Sequence, residues 1–263
     1  MAAFLCLRGV VAGYGQAMVL RGLDLDVRQG AVTCLIGPNG AGKSTVLKTV
    51  SGLLSPRQGS ITLQDRPIHG LPPRAVLDHG VVHVPQERSL FPLMTVWENL
   101  VMGAYVVKDR RAVRRRAERV AELYPLVGRR RHERAGSLSG GEQRIVELAR
   151  ALMLDPLLVL MDEPSIGLDP QASRLVFEGI DGLRQAGRTV LLVEQNARSG
   201  LAVADHGAVL EAGVLRHEGT GAQLLADPEV ARVYLGAAAA SGLRAAGGQP
   251  PGPHTAELHQ ERS

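Results

Sequence analysis

The chain is short of aromatic residues, lysine and cysteine, and it has no long apolar run. Aromatics make up 3% of its 263 residues, three Phe, one Trp and four Tyr, so a core must be built on Leu, Val, Ala and Ile. Its 45% apolar content is enough for such a core in one large domain, or in a domain with a subdomain. Cys6 and Cys34 are the two cysteines; they give no disulfide framework and suit a reducing cytosol. No apolar stretch approaches the roughly 18–20 residues that a membrane span needs. The opening Met1-Ala2-Ala3-Phe4-Leu5-Cys6-Leu7 lacks a basic region and runs into a polar strand pattern, unlike a signal peptide. Net charge is only +4, too mild an excess to argue for a nucleic-acid partner. Lysine accounts for three of the 30 basic residues, Lys43, Lys48 and Lys108.

One of those lysines lies in the most specific motif of the chain. Gly37-Pro38-Asn39-Gly40-Ala41-Gly42-Lys43-Ser44 fits G-x-x-x-x-G-K-[ST] without a mismatch. Ala31-Val32-Thr33-Cys34-Leu35-Ile36 before it reads as a buried strand, and Ser44-Thr45-Val46-Leu47-Lys48-Thr49-Val50 after it can continue as a helix. The glycines let the backbone curl so that successive N–H groups point inward at an anion, and the helix N-terminus adds partial positive charge. Lys43 is expected to reach the β- and γ-phosphates of a nucleotide, and the Ser44 hydroxyl to ligate Mg²⁺. Thr45 belongs to the same expected nucleotide-binding set. A strand-to-helix turn with no ligand is the competing reading; strand, loop and Lys-Ser in order argue against it.

Coarse patterning surrounds this motif with alternating strands and helices. Residues 4–36 read as short strands and turns, 59–63 as a strand, and Val81-Val82-His83-Val84 as a buried strand ending at Pro85-Gln86. From about 95 to 155 the pattern is helical, with Val113, Ala117, Val120, Ala121 and Tyr124 on one face. Arg110, Arg111, Arg114, Arg115 and Arg116 lie mostly off that face and read as exposed and solvated, with contact to anionic lipid as the second reading. Leu157-Leu158-Val159-Leu160-Met161 is continuously apolar, as in a parallel sheet buried on both faces. A helix over 171–186, a strand over 189–193, a hairpin over 209–215 and short helices over 221–235 follow. From about Ala237 the Ala-, Gly- and Pro-rich composition predicts disorder.

Two further motifs gain meaning beside the cradle. Asp162 and Glu163 close the apolar strand, where one carboxylate can hold Mg²⁺ while its neighbour, pointing elsewhere, polarises an attacking water. Leu138-Ser139-Gly140-Gly141-Glu142-Gln143 contains Ser139-x-x-Glu142, a helix capping box. A capped N-terminus with two glycines also exposes N–H groups to a phosphate approaching from outside.

Together these residues resemble the ATP-binding cassette family of transporter ATPases, over residues 4 to about 236. The resemblance rests on the cradle, Gln86 after its strand, Leu138-Ser139-Gly140-Gly141-Glu142-Gln143, Leu158-Val159-Leu160-Met161-Asp162-Glu163-Pro164, and Ser165-Ile166-Gly167-Leu168-Asp169. It implies an α/β P-loop NTPase fold: a mainly parallel central sheet, an N-terminal antiparallel β subdomain, and an inserted α-helical subdomain at about 88–155 within a domain spanning 1–236. It implies ATP and Mg²⁺, with Ser44, Gln86 and Asp162 at the metal. Tyr14 would stack on adenine. Ser139, Gly140, Gly141 and Glu142 would serve the ATP held by a second ATPase subunit, and Asp169 would couple the two sites.

Most of the family has a histidine where Val193-Glu194-Gln195-Asn196 puts Gln195, which leaves Glu163 as the main catalytic group, since an amide can donate to a γ-phosphate but cannot shuttle a proton. That string, with Met94-Thr95-Val96-Trp97-Glu98-Asn99-Leu100 and Tyr234-Leu235-Gly236, resembles the ATPase subunits of branched-chain amino-acid importers. Such a subunit would form a homo- or heterodimer and sit on the cytoplasmic face of the membrane. Permease subunits would dock near Gln86, Phe91, Pro92, Leu93 and Met94, and an extracytoplasmic solute-binding protein would take part indirectly. Other readings are an ATPase of another importer or exporter, a soluble cassette ATPase on ribosomes or DNA, and a regulatory nucleotide binder. One cradle and no long heptad segment argue against the soluble reading, and Glu163 argues against the regulatory one.

Overall fold

The computed structural model describes residues 3–234, so the expected disordered tail lies outside the described residues. Two sheets organise the chain. In the first, β1 (Leu5–Tyr14) and β2 (Ala17–Val27) form a long antiparallel hairpin. β4 (Gln58–Leu63) and the two-residue β5 (Arg66–Pro67) extend it in the order β2-β1-β4-β5. These N-terminal strands are 10 and 11 residues long, not the short strands that the local turn residues predict. Register shifts within the β1–β2 ladder absorb Gly9 and Gly13 without ending either strand.

The second sheet contains β3 (Val32–Ile36), β6 (Val81–Val84), β7 (Leu158–Asp162), β8 (Thr189–Val193), β9 (His206–Glu211) and β10 (Val214–Gly219). Their order is β10-β9-β3-β8-β7-β6. All neighbours pair in parallel except the β9–β10 hairpin. The central strands are apolar on both faces because each face has its own core. Val32, Cys34, Ile36, Val159, Met161, Val190 and Leu192 pack among the helices. Leu35, Leu158, Leu160, Leu191 and Val193 alternate with them and pack toward the antiparallel sheet.

Helices cover both faces and fill the region between β6 and β7. α1 (Lys43–Val50) and α2 (Pro73–Asp78) bury Val46, Leu47, Val50 and Val76 in the second core, toward the antiparallel sheet. α3 (Val96–Met102), α4 (Arg110–Leu123), α5 (Pro125–Arg129), α6 (Gly140–Leu152) and α7 (Pro170–Gln185) pack on the first. α8 (Ala197–Ala202), α9 (Gly221–Ala226) and α10 (Pro228–Tyr234) complete the described chain. The helical stretch expected over 95–155 is therefore four separate helices and a 3-10 turn at Ala135–Ser137. Pro125 explains one break: it drives Tyr124 to φ −118, ψ 84, outside the helical region. Tyr124 is then buried, and its hydroxyl donates to the Gly179 carbonyl of α7 at 3.0 Å. Along α4, Ala117 and Val120 are buried while Arg110, Arg111, Arg114 and Arg115 are exposed, as the periodicity predicts. Arg116 departs from that face, is half-buried, and donates to the Met153 carbonyl at 3.2 Å.

The segment from Gln86 into α3 has little regular structure and depends on one buried amide. Asn99 is fully buried; its Oδ1 accepts from Phe91 N at 2.8 Å, and its Nδ2 donates to the carbonyls of Phe91 and Thr95 at 2.9 and 3.0 Å. Asn99→Ala leaves these backbone groups unpaired and is expected to lower stability by about 2 kcal/mol in denaturant unfolding. A loss under about 0.5 kcal/mol contradicts this role.

Candidate functional site: a phosphate cradle facing two carboxylates

The cradle forms where β3 ends and α1 begins. Gly37 has φ +152, and a Cβ there would stand 2.1 Å from the Leu210 carbonyl oxygen, so no other residue fits this approach. Gly42, with φ 109, precedes α1 as its N-cap and brings no side chain to satisfy the first N–H groups. These donors, the curled loop and the helix dipole point the same way, which suits an anion. Lys43 is 5% exposed, with its ammonium donating to the carbonyls of Gly37 and Pro38 at 2.9 and 3.2 Å. Its Nζ also lies 3.8 Å from Glu163 Oε1.

The two expected carboxylates both reach this cradle, by different routes. β8 lies between β3 and β7 in the sheet, yet Ser44 Oγ donates to Asp162 Oδ1 at 3.0 Å across the sheet's carboxyl end. Glu163 leaves the strand with φ 44, a left-handed conformation that costs a non-glycine residue about 1–3 kcal/mol. The kink brings its carboxylate toward Lys43 rather than away from it. Glu163 N still donates to the Val193 carbonyl at 2.9 Å, which anchors the turn.

A cavity of about 460 Å³ opens over these groups, lined by Asn39, Gly40, Gly42, Lys43, Ser44, Thr45, Gln86, Glu163 and Gln195, with Val19 and Ile166. Gln86 and Gln195 reach it from the ends of β6 and β8 and are both exposed. Tyr14 does not line it. That ring ends β1, is 48% exposed, and lies 5.9 Å from the Lys48 ammonium.

Ser139, Gly140, Gly141 and Glu142 are also absent from the cavity wall. Ser139 is exposed at the N-terminus of α6, and the expected capping box is present there. Glu142 N donates to Ser139 Oγ at 3.3 Å, and Ser139 N donates to Glu142 Oε2 at 2.9 Å. Glu142 is also paired with Arg130 at 3.2 Å. Gly141 permits α6 to lie against α7, since a Cβ there would stand 2.8 Å from the Ala172 Cβ. Asp169 caps α7, accepting from Gln171 N and Ala172 N at 2.9 and 2.8 Å.

Glu194 is a site residue that patterning did not single out. It is 1% exposed and accepts from Ser165 N at 3.0 Å and Ser165 Oγ at 2.9 Å, so β8 holds the turn that follows Glu163. An acidic residue directly after an apolar strand was the only signal. Burial raises its carboxyl above the ordinary 4.5, against the lowering effect of its hydrogen bonds from Ser165 and Asn196.

Comparison with known proteins agrees with this geometry. A family model described as ABC transporter matches residues 20–166. The high-affinity branched-chain amino acid transport ATP-binding protein BraG of Pseudomonas aeruginosa is 42% identical over 223 residues, covering 85% of this chain and 95% of BraG. The lipopolysaccharide export system ATP-binding protein LptB of Escherichia coli is 36% identical over 236 residues, covering 89% of this chain and 98% of LptB. The ADP conformation of an ATP-binding cassette from an ABC transporter superposes with a TM-score of 0.82 at 29% identity, covering 90% of this chain and all of that one. The chain belongs to the ABC transporter family. It is an ATPase of that family, with the α/β P-loop fold and mainly parallel sheet that its sequence predicts.

Glu163→Gln is expected to lower the steady-state ATPase rate by about 100-fold or more while retaining ATP binding. Phosphate release and fluorescent-nucleotide titration measure the two, and an unchanged rate removes Glu163 from the chemistry. The raised Glu194 carboxyl predicts a pH effect with a definite sign. Its stabilising contribution is present below the unfolded carboxylate value and is lost as pH rises through the folded one. Glu194→Gln should remove this component, seen as a wild-type-minus-variant stability difference that falls as pH rises above the ordinary carboxylate value of 4.5. A difference that is flat or rises with pH contradicts the assignment.

Proposed function

We propose that this chain is the ATP-hydrolysing subunit that energises a membrane importer for branched-chain amino acids or related small polar solutes. The observation that carries the mechanism is that the cradle's cavity contains no part of Ser139-Gly140-Gly141-Glu142, although that turn is exposed and capped. A second ATPase subunit, identical or different, supplies the missing turn, and each chain serves half of two sites. Tyr14 stacks on adenine, and the N–H groups from Gly37 to Thr45 hold the phosphates with Lys43. Ser139 and its glycines close on the γ-phosphate bound to the opposite chain.

Ser44, Gln86 and Asp162 fit a Mg²⁺ ion, since all three present oxygen donors at the cradle's mouth or just behind it. Bound there, the metal supplies charge neutralisation for the phosphoryl group in transfer. Glu163 accepts a proton from the attacking water, and the strained turn keeps its carboxylate beside Lys43. Gln195 donates an amide hydrogen to the γ-phosphate and takes no proton itself.

No helix among the described residues is long and apolar enough to cross a membrane. In this reading the subunit works at the cytoplasmic face against permease subunits, with an extracytoplasmic solute-binding protein delivering the solute. Phe91 and Leu93, 47% and 80% exposed, give the loop after Gln86 an apolar surface for the permease. Similarity to BraG supports the solute class, and similarity to LptB supports the second reading, an ATPase of another importer or an exporter. In cells carrying Lys43→Ala in place of the wild type, uptake of labelled leucine, isoleucine and valine should fall to background. Full uptake of all three refutes the solute class; a loss of lipopolysaccharide export instead favours the second reading.

A further inference from the structure

Helix α4 begins in a run of like charge. Residues 108–119 hold Lys108 and the arginines at 110, 111, 114, 115, 116 and 119 against two acids, Asp109 and Glu118. Their net +5 exceeds the +4 of the whole chain, so the rest of the sequence carries no positive excess. Arg110, Arg111, Arg114, Arg115 and Arg119 are exposed, and none of the five forms an ion pair among the described residues. Glu118 is paired instead with Arg131, at 3.6 Å.

This arrangement works against the helix. Positive charge in a first turn opposes the helix dipole, and beyond the Asp109 cap α4 has no acid there to offset it. Arg110 and Arg114, Arg111 and Arg115, and Arg115 and Arg119 each stand four residues apart, where like charges on a helix repel. Charge placed against local stability, with no counter-charge inside the chain, points to an anion outside it.

A cavity of about 530 Å³ opens beside these arginines, between α3, the loop after it and α4. Trp97, Met102, Tyr105 and Val113 line it together with Arg110 and Arg114. Tyr105 and Met102 are 71% and 42% exposed. The Arg131 guanidinium lies 3.9 Å over the Trp97 ring, and its Nε has no hydrogen-bond partner among the described residues. Guanidinium forks match phosphate oxygens, and the apolar wall suits a ligand that also brings hydrocarbon. A second, open hollow carries the charge onward past Arg111, Arg115 and Arg119. Such spread matches a layer of headgroups better than one bound phosphate or one acidic side chain. The seven residues of α3, about 10 Å, separate this patch from the Phe91–Leu93 loop given above to the permease.

We propose that the start of α4 and the cavity beside it dock on the anionic lipid surface of the membrane. Headgroup phosphates meet the arginines, and Tyr105 and Met102 lie against the glycerol and acyl region. The contact sets how the subunit sits against the bilayer, next to its permease contact. It rests on the proposed function for the chain's place at the cytoplasmic face.

Trp97 is the chain's one tryptophan, so its emission reports on this cavity. The full chain is mixed with vesicles of phosphatidylcholine alone, or with vesicles in which about a third is phosphatidylglycerol, and followed by sedimentation and Trp97 emission. Binding to the anionic vesicles alone is expected, with a blue shift of Trp97, and it weakens as salt is raised. Joint replacement by Arg111→Gln, Arg114→Gln and Arg115→Gln should weaken binding about fivefold per arginine, about 100-fold in all. Tyr105→Ser should weaken it about threefold and leave its salt dependence unchanged. The thermal midpoint of the triple variant should equal or exceed that of the wild type, since repulsion is relieved. A lower midpoint gives the arginines a structural role and overturns the proposal. Equal binding to both vesicle types, or full binding by the triple variant, also overturns it. So does a Trp97 shift of the same size with inorganic phosphate alone, which marks a free-anion site. Absence of vesicle binding, with loss of the detergent-solubilised permease complex in the triple variant, assigns the arginines to an acidic protein surface and overturns it too. Failure of the proposed function appears elsewhere, in the leucine, isoleucine and valine uptake assay, which these vesicle measurements do not use.

Discussion

The contact on which the rest of the site depends is the 3.0 Å hydrogen bond between Ser44 and Asp162. It joins the first turn of α1 to the last residue of β7 across an intervening strand. That is possible because β3, β8 and β7 are each five residues long, parallel and nearly in register, so their carboxyl ends share one level. Apolar packing on both faces holds that level, with Val32, Cys34 and Ile36 to one side and Leu35 to the other. A one-residue slip would exchange the two faces of a strand and bury or withdraw the carboxylates. The hydrophobic core is thus also what sets the position of the charged groups.

Around this contact the chain spends conformational energy where chemistry needs it. Glu163 is held in a left-handed conformation, and the buried Glu194 carboxylate secures the following turn through Ser165. Such strain persists only when surrounding contacts over-determine it, and here they come from β8 and from Arg144 on the Pro164 carbonyl. The Ser139 turn, in contrast, satisfies itself locally through its capping box and lines no part of its own chain's cavity. That separation is why the proposed function gives the turn to a second chain.

Much of this was legible in the sequence, because the cradle, the capping box and the apolar strands at 81–84, 157–161 and 189–193 are local patterns. The lysine at 43, in a chain that otherwise uses arginine, marked the cradle further. What was not legible depends on contacts distant in sequence. Nothing near Leu158 says that β8 separates its strand from β3. The kink at Glu163 is imposed by neighbours rather than by propensity, since glutamate does not favour positive φ. Arg144, Glu147 and Arg150 carry no local signal of the network they form with residues 85–89. The break at Pro125 was visible as a proline, yet periodicity across 113–124 hid how it divides the helical region. Gln195 was visible as a departure from the family and does line the cavity, where Glu163 is the one carboxylate among the lining residues.

The central claim is that one ATP must touch two chains. Light scattering on the Glu163→Gln chain, in Mg-ATP and then in Mg-ADP, tests it most directly. The account predicts a molar mass near twice the 28.0 kDa of one chain in ATP, and near a single chain in ADP. A single-chain mass in saturating ATP, with the chain alone and with a companion cassette added, would contradict it.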